Sequence, residues 1–396
     1  MKAVGIIAEY NPFHKGHRYH LEQAKARSGC KHAIVVMSGN FVQRGEPAAF
    51  DKRLRTECAL KNGADLVLEL PTVFALSSAE GFARGGVKVL AGTGLLSHLA
   101  FGAESDDLAA LCKSANFLED ETFKAYLRKK LSEGKSFPRA RQEALTDSGM
   151  SYEEAELCAS PNNILALEYL RALSLYGDDI LPLPIKREGA AHDAEGIGME
   201  FPSASAIRAA LSAGDTQAAF SALPEETAKL LSGVSPVSAE DISPFILYAL
   251  RRMDTEQLAK LPDVTEGLEN LIYRECRTTN CYEELLTRLK SKRYTLARLR
   301  RIMMCALLGI ESNAPKNGLE HAYIRVLGIR KDAMSLLSEL GKRAALPVII
   351  RGEDLKVLPE CTRQLLKFDT LSGEIYSLAK KEAACKNEFA QPLLIV

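Results

Sequence analysis

No stretch of this 396-residue chain approaches the run of about 18 apolar residues that a membrane span needs, and the strongest C-terminal run, Ile302 to Ile310, falls far short of it. The start, MKAVGIIAEYNPF, lacks the basic region, long apolar core and small-residue cleavage site of a signal peptide. A disulfide framework is missing too, because nine cysteines, an odd number, are scattered through a large chain. They read as reduced thiols in a cytoplasmic protein. Neither internal repeats nor low-complexity tracts interrupt the sequence. With 46% hydrophobic and 26% charged residues, the expectation is a globular chain of two or three domains, outside the disordered, collagenous and coiled-coil classes.

The chain also lacks the basic excess that usually marks a partner of nucleic acid, since 51 Lys and Arg balance 51 Asp and Glu. That balance is uneven along the sequence. Up to Leu230 there are 26 basic and 30 acidic residues, and beyond it 25 and 21, so the halves carry −4 and +4.

Short runs rich in Val, Ile and Leu occupy Ala3 to Glu9, His32 to Met37, Ala64 to Leu70, Leu99 to Ala103 and Ile180 to Ile185. Such runs suit strands buried on both faces of a parallel sheet. Helical patterns at 16–28, 51–62 and 77–91 lie between them, which predicts a βαβ series and an α/β class. A charged, helical stretch at about 105–175 breaks the rhythm and reads as an insertion. The sequence predicts an α/β domain over 1–230 and a mainly α-helical one over 231–396. In the latter, Pro347 to Ile350 is a short strand candidate before helices at 353–366 and 371–384.

The first strand runs into Asn11-Pro12-Phe13-His14-Lys15-Gly16-His17. Two imidazoles in the spacing H-x-G-H, directly after a strand and opening a helix, suit nucleotide chemistry. A helix start offers free N–H groups to phosphate, Gly16 permits close approach, and His14 and His17 can donate to charge developing at an attacked phosphate. A zinc site formed by His14, His17 and His20 lacks a Cys or acidic partner at ligand spacing. No directly ligated metal is expected.

At this point the sequence resembles the nucleotidyltransferase superfamily that shares the HIGH signature, whose second signature is matched by Ser203-Ala204-Ser205-Ala206-Ile207-Arg208. Hydroxyls and N–H groups at a helix start, with Arg one turn on, suit the β- and γ-phosphates. GIIAEYNPFHKGHRYH, MSGNFVQRGEPA, DLVLELP, SPNNILALEYL, IKREGAAHD, SASAIR, KSKRYTLARLRRI and YIRVLGI narrow the likeness to the bacterial tRNA(Met) cytidine acetate ligase family over nearly the whole chain.

That resemblance implies a Rossmann-like catalytic domain that uses ATP, with Mg2+, and acetate to form acetyl-adenylate. The acetyl group then passes to the N4 amine of the wobble cytidine of elongator tRNA(Met). His14, His17, Ser205 and Arg208 would be catalytic. Contacts to ATP are implied for Ile7, Ala8, Glu9, Tyr10, Asn11, Pro12, Phe13, Lys15, Gly16, His20, Gly102, Asn162, Arg187, Glu188 and Ser203. Ala191, ahead of His192 and Asp193, departs from the larger residue expected there.

Two further groups of residues have alternative readings on their chemistry alone. Ser38, Gly39, Asn40, Gln43 and Arg44 follow the second strand on the same rim and suit either an acetate or cytosine pocket or a tight turn. Between positions 288 and 301 seven cations, Arg288, Lys290, Lys292, Arg293, Arg298, Arg300 and Arg301, occur without an acidic residue. The alternatives are a solvated helix face and a grip on tRNA through Lys290, Lys292, Arg293, Arg298 and Arg301, with Tyr294 stacking on a base. A small-molecule adenylyltransferase would not need the basic helical half. A tRNA-binding protein with a vestigial nucleotide site would not need both signatures. An aminoacyl-tRNA synthetase would be expected to carry a KMSKS-like lysine loop, which is absent.

Overall fold

A computed structural model describes residues 2–135, 137–158, 161–187, 202–380 and 388–396. The sheet is built around β1 (Ala3–Ala8), with β2 (His32–Ser38) on one side. A small hairpin, β3 (Phe41–Val42) and β4 (Glu46–Pro47), follows β2. Next come β5 (Leu66–Leu70), β6 (Leu96–Ala103) and β7 (Leu181–Lys186). All five expected strands are present, in the spatial order β5-β2-β1-β6-β7 and parallel throughout. The order reverses at β1, which opens a crevice at the carboxyl ends of β1 and β6, where open α/β sheets bind ligands.

The alternation along the strands explains the layers. In β1 and β2, Ala3, Ile34 and Val36 face one core, while Val4, Ile6, Val35 and Met37 face the other. The second face is covered by helices Lys15–Ser28, Lys52–Lys61 and Ala204–Ser212. The first is covered by Ala79–Ala91 and by Pro161–Tyr176, the last helix of the expected insertion. Each strand therefore has apolar neighbours on both sides, as its unbroken apolar sequence requires.

The helical half does more than append helices. It supplies β8 (Ile324–Ile329), antiparallel to β5, together with β9 (Val348–Ile349) and β10 (Leu394–Ile395), both beside β8. The sequence reading expected β9 but missed β8 and β10. Arg325 disguises β8, since a buried strand is read from unbroken apolar residues. Its charge is met by the fully buried Glu69 of β5 at 2.9 Å. The helices expected at 353–366 and 371–384 are instead a 3-10 turn, Gly352–Val357, followed by one helix over Glu360–Ala379. Helices from this half, among them Ala239–Arg252 and Leu296–Leu308, share the core of the sheet's first face.

Candidate nucleotide site

The loop after β1 is organised by its own histidines. His14 caps the helix Lys15–Ser28: its Nδ1 accepts the Gly16 N–H at 3.1 Å, while its backbone N–H donates to Nδ1 of His17 at 3.3 Å. The rings stack with centroids 3.7 Å apart. Because both Nδ1 atoms accept, each neutral ring carries its proton on Nε2. The capping box thus fixes the tautomers of two hydrogen-bond donors as it closes the helix. Tyr10 adopts a left-handed φ of 48° and packs edge-on against His17 and Phe13. A strained non-glycine residue at the end of a central strand is held by such packing and is typical of functional loops.

The histidines are held neutral. Burial, with Arg187 and Arg208 nearby, pushes His14 down to about 3. His17 lies well below its ordinary value through burial, then His14, Arg187 and His20, with the Pro12 carbonyl opposing. His20 is brought to about 4 by burial and Arg187. An uncharged imidazole donates without adding a charge that must be solvated before the anion arrives.

These groups surround a cavity of about 280 Å³, near the lower end of the range for small-molecule sites, roughly 300–1,000 Å³. Of the expected residues, Ile7, Ala8, Glu9, Tyr10, His14, Gly16, His17, His20, Gln43, Arg44, Gly102, Arg187, Ser203, Ser205 and Arg208 line it. Arg208 reaches back to the first loop, donating to the Asn11 carbonyl at 3.0 Å across 197 residues of sequence. Its other nitrogen lies 3.4 Å from Ser205 Oγ. The Ser203 hydroxyl caps Ala204–Ser212, accepting the Ala206 N–H at 3.1 Å. Burial lowers the Arg208 pKa, so an anion beside it offsets the cost of its charge. Among the described residues, Tyr10 Oη and His20 Nε2 are buried without a hydrogen-bond partner, two open polar positions on the same wall.

Other expected residues have structural places. Asn11 Oδ1 accepts the Ala49 N–H at 2.7 Å, Phe13 is fully buried, and Lys15 Nζ donates to the Ser221 carbonyl at 2.7 Å. These three residues, and Pro12, are absent from the cavity lining. Ser38, Gly39 and Asn40 also lie off it. Asn40 Oδ1 accepts the Lys52 N–H at 2.9 Å, and the carbonyls of Ser38 and Gly39 accept from the buried Arg55. Asn162 sits in the first turn of Pro161–Tyr176 with its side chain outside the described residues. Its neighbour Asn163 ties that helix to the end of β6, accepting the Glu104 N–H at 2.9 Å. Glu188 and the loop with Ala191, His192 and Asp193 lie outside the described residues.

Sequence reasoning missed the apolar wall of Phe82, Phe101, Leu165 and Tyr169, which only the fold assembles. It also missed Arg55, which joins the ends of β1 and β2 by donating to the Glu9 carbonyl at 2.5 Å and the Ser38 carbonyl at 3.1 Å. On the sequence Arg55 is one more helix cation; its full burial is tertiary information.

The basic stretch differs from expectation most. Arg293 pairs with Glu266 at 2.6 Å, Arg288 with Glu284 at 2.6 Å, and Arg300 with Glu46. Arg301, one of the residues offered to tRNA, has a largely buried side chain 3.6 Å from Asp263. Arg298 donates to the Asp263 carbonyl at 2.6 Å and covers the ring of Tyr294 at 4.8 Å. Tyr294 is not presented for base stacking: it is buried, and its hydroxyl donates to the Thr265 carbonyl at 2.7 Å. Among the described residues, Lys290 and Lys292 are the two of the seven cations with exposed side chains and no ion pair or side-chain hydrogen bond to protein; the Lys290 backbone N–H caps helix Tyr282–Leu289 by donating to the Leu286 carbonyl.

Known proteins place the chain. The model of the family described as HIGH Nucleotidyl Transferase matches residues 1–391. The tRNA(Met) cytidine acetate ligase of Caldanaerobacter subterraneus subsp. tengcongensis is 40% identical over 402 residues, with all of both chains covered. That of Acetivibrio thermocellus is 37% identical over 421 residues, again with both covered fully. The crystal structure of apo Thermotoga maritima TmcAL covers 100% of each chain at 33% identity and a TM-score of 0.94, and its form bound with alpha-thio ATP gives 0.92 at the same identity and coverage. The chain belongs to the HIGH nucleotidyl transferase family and, within it, to the family of the tRNA(Met) cytidine acetate ligases.

Proposed function

We propose that this chain is an ATP-dependent ligase that activates acetate as acetyl-adenylate and acetylates N4 of the wobble cytidine of elongator tRNA(Met). The observation that carries the reading is the meeting of the two signatures, His14 to His17 and Ser203 to Arg208, around one cavity at the reversal of the sheet. The full-length likeness to ligases of that name supports the substrate assignment.

In the first step an acetate oxygen attacks the α-phosphorus of ATP and the bond to the β-phosphate oxygen breaks, releasing pyrophosphate. Neutral His14 and His17 donate through Nε2 to the charge on the α-phosphoryl oxygens. Arg208 and the N–H groups at the start of Ala204–Ser212 hold the departing phosphates. In the second step the cytosine amine attacks the acetyl carbonyl, AMP leaves and the amine loses a proton. Gln43 and Arg44, on the cavity wall, are placed to meet the acetate or the base. Mg2+ would enter with the triphosphate. Glu9 is the only carboxylate among the described residues lining the cavity, and no group of three or more acidic, His or Cys residues there forms a metal cage.

In this reading the sheet-based part over 1–230 performs adenylation and the part over 231–396 holds the tRNA in the cytoplasm. No helix of the described residues is long and apolar enough to cross a membrane. The test incubates the chain with ATP, radiolabelled acetate and total tRNA, then digests the RNA to nucleosides. Label in N4-acetylcytidine of elongator tRNA(Met) is the expected result; unlabelled tRNA contradicts the proposal.

A further inference from the structure

The cavity is built for anions, and Glu9 runs against that purpose. Arg44, Lys186, Arg187 and Arg208 line it together with His14 and His17, whose Nδ1 atoms are taken up in the capping box so that the rings present N–H donors. Glu9 is the only carboxylate among the described lining residues, and it directly follows β1, where the sheet order reverses. A negative charge at this point opposes the binding of triphosphate and acetate alike.

The position of Glu9 is fixed from two sides. Its Oε1 accepts the Gln43 N–H at 2.8 Å, and its backbone carbonyl accepts from Arg55 Nη1 at 2.5 Å. Arg55 is fully buried and also donates to the Ser38 carbonyl at 3.1 Å, which clamps the ends of β1 and β2 together. Glu9 therefore stands between the loop of His14 and His17, on the α-phosphoryl side, and Gln43 and Arg44, on the side of the acetate or the base. The acetyl group of the adenylate is joined to that α-phosphate, so whatever attacks its carbonyl approaches this part of the wall. In the ligase reaction the attacker is the exocyclic amine of cytosine, a weak nucleophile that presents two N–H donors and gains positive charge as its lone pair is used. Cations and neutral imidazoles do not stabilise that charge; a carboxylate supplies both an acceptor and a counter-charge.

We propose that Glu9 is a catalytic residue of the transfer step, whose carboxylate accepts a hydrogen bond from the N4 amine, orients it toward the acetyl carbon and takes its proton. The inference deepens the reading of the cavity as the site of acetate activation and rests on it. The bond between N4 and the acetyl carbon forms as the bond from that carbon to the adenylate oxygen breaks. The electron pair of the broken bond leaves on AMP, and the proton passes from N4 to the Glu9 carboxylate and then to water.

Two half-reactions of the full chain separate this role from ATP binding. One is exchange of labelled pyrophosphate into ATP with acetate and no tRNA. The other is single-turnover transfer of labelled acetyl from enzyme loaded with ATP and acetate to saturating elongator tRNA(Met). Glu9→Gln keeps an oxygen for the Gln43 N–H but is no base, so transfer should slow about 10²–10⁴-fold and exchange by at most about a tenth of that factor. Glu9→Asp, which keeps the charge on a shorter stem, should transfer at a rate between those of wild type and Glu9→Gln. Transfer by Glu9→Gln within about fivefold of wild type overturns the proposal. Equal loss of both half-reactions overturns it too, because the carboxylate would then serve ATP or the loop. Wild-type protein without acetate-dependent exchange overturns the adenylation reading itself.

Discussion

Two regions of this molecule that the sequence offers to polyanions, the cavity and the 288–301 stretch, differ in the fold in the charge they leave available. Around the cavity, Arg208 is bonded to neutral oxygens, and the imidazoles of His14 and His17 are stacked and uncharged. Between 288 and 301 the cations outnumber those of the cavity, yet Glu46, Glu266, Glu275 and Glu284 take up several of them. Local charge density therefore says little about available charge. What an anion meets is the charge left after the protein's own acids, many from distant segments, have paired.

The strongest way to break this contrast is at the first loop. His17→Ala removes a donor from the attacked phosphate and should lower acetate-dependent adenylate formation by about 10²–10³-fold, read as pyrophosphate release. A loss below fivefold would place the chemistry elsewhere.

Next in size is a pH effect. In the fold burial lowers His14 to about 3 and His20 to about 4, and holds His17 well below its ordinary value, whereas all three take up protons near 6.5 once unfolded. Below 6.5 the unfolded chain binds more protons, so stability falls with falling pH and levels off above 6.5. Around pH 5 His14 and His20 together should contribute a slope of about two protons, about 3 kcal/mol per pH unit, with His17 adding in the same direction. Urea denaturation across this range checks it, and replacing His20 with Gln should reduce the slope by about one proton.

The basic half gives a smaller effect. Replacing Lys290 and Lys292 together by Ala should weaken tRNA binding several-fold and reduce the slope of log affinity on log salt by about two, with adenylation unchanged. Arg293→Ala, whose charge already serves Glu266, should change the slope by less than either lysine. Filter binding at several salt concentrations separates the two. Smallest is Tyr294→Phe, which loses the bond to the Thr265 carbonyl and should cost about 1 kcal/mol of stability in chemical denaturation. It should leave tRNA affinity intact, whereas a fall in affinity would return the ring to the RNA surface.

The parallel strands were legible in the sequence because burial on both faces leaves an unbroken apolar run. The loop was legible because His14, Gly16 and His17 sit at fixed spacing. The strand β8 was hidden by Arg325, whose partner Glu69 is far away in sequence. Arg55 and the Phe82, Phe101, Leu165 and Tyr169 wall were hidden for the same reason, as their meaning exists only after folding. The pairing of Arg293, Arg300 and Arg301 within 288–301 was not legible, because a sequence window cannot see Glu266, Glu46 or Asp263.

The most direct test of the cavity's chemistry is exchange of labelled pyrophosphate into ATP, measured with acetate and without tRNA. The account predicts exchange that requires acetate, is lost in His17→Ala and persists when Lys290 and Lys292 are replaced. No exchange by the wild-type protein, or exchange that is indifferent to acetate, would contradict it.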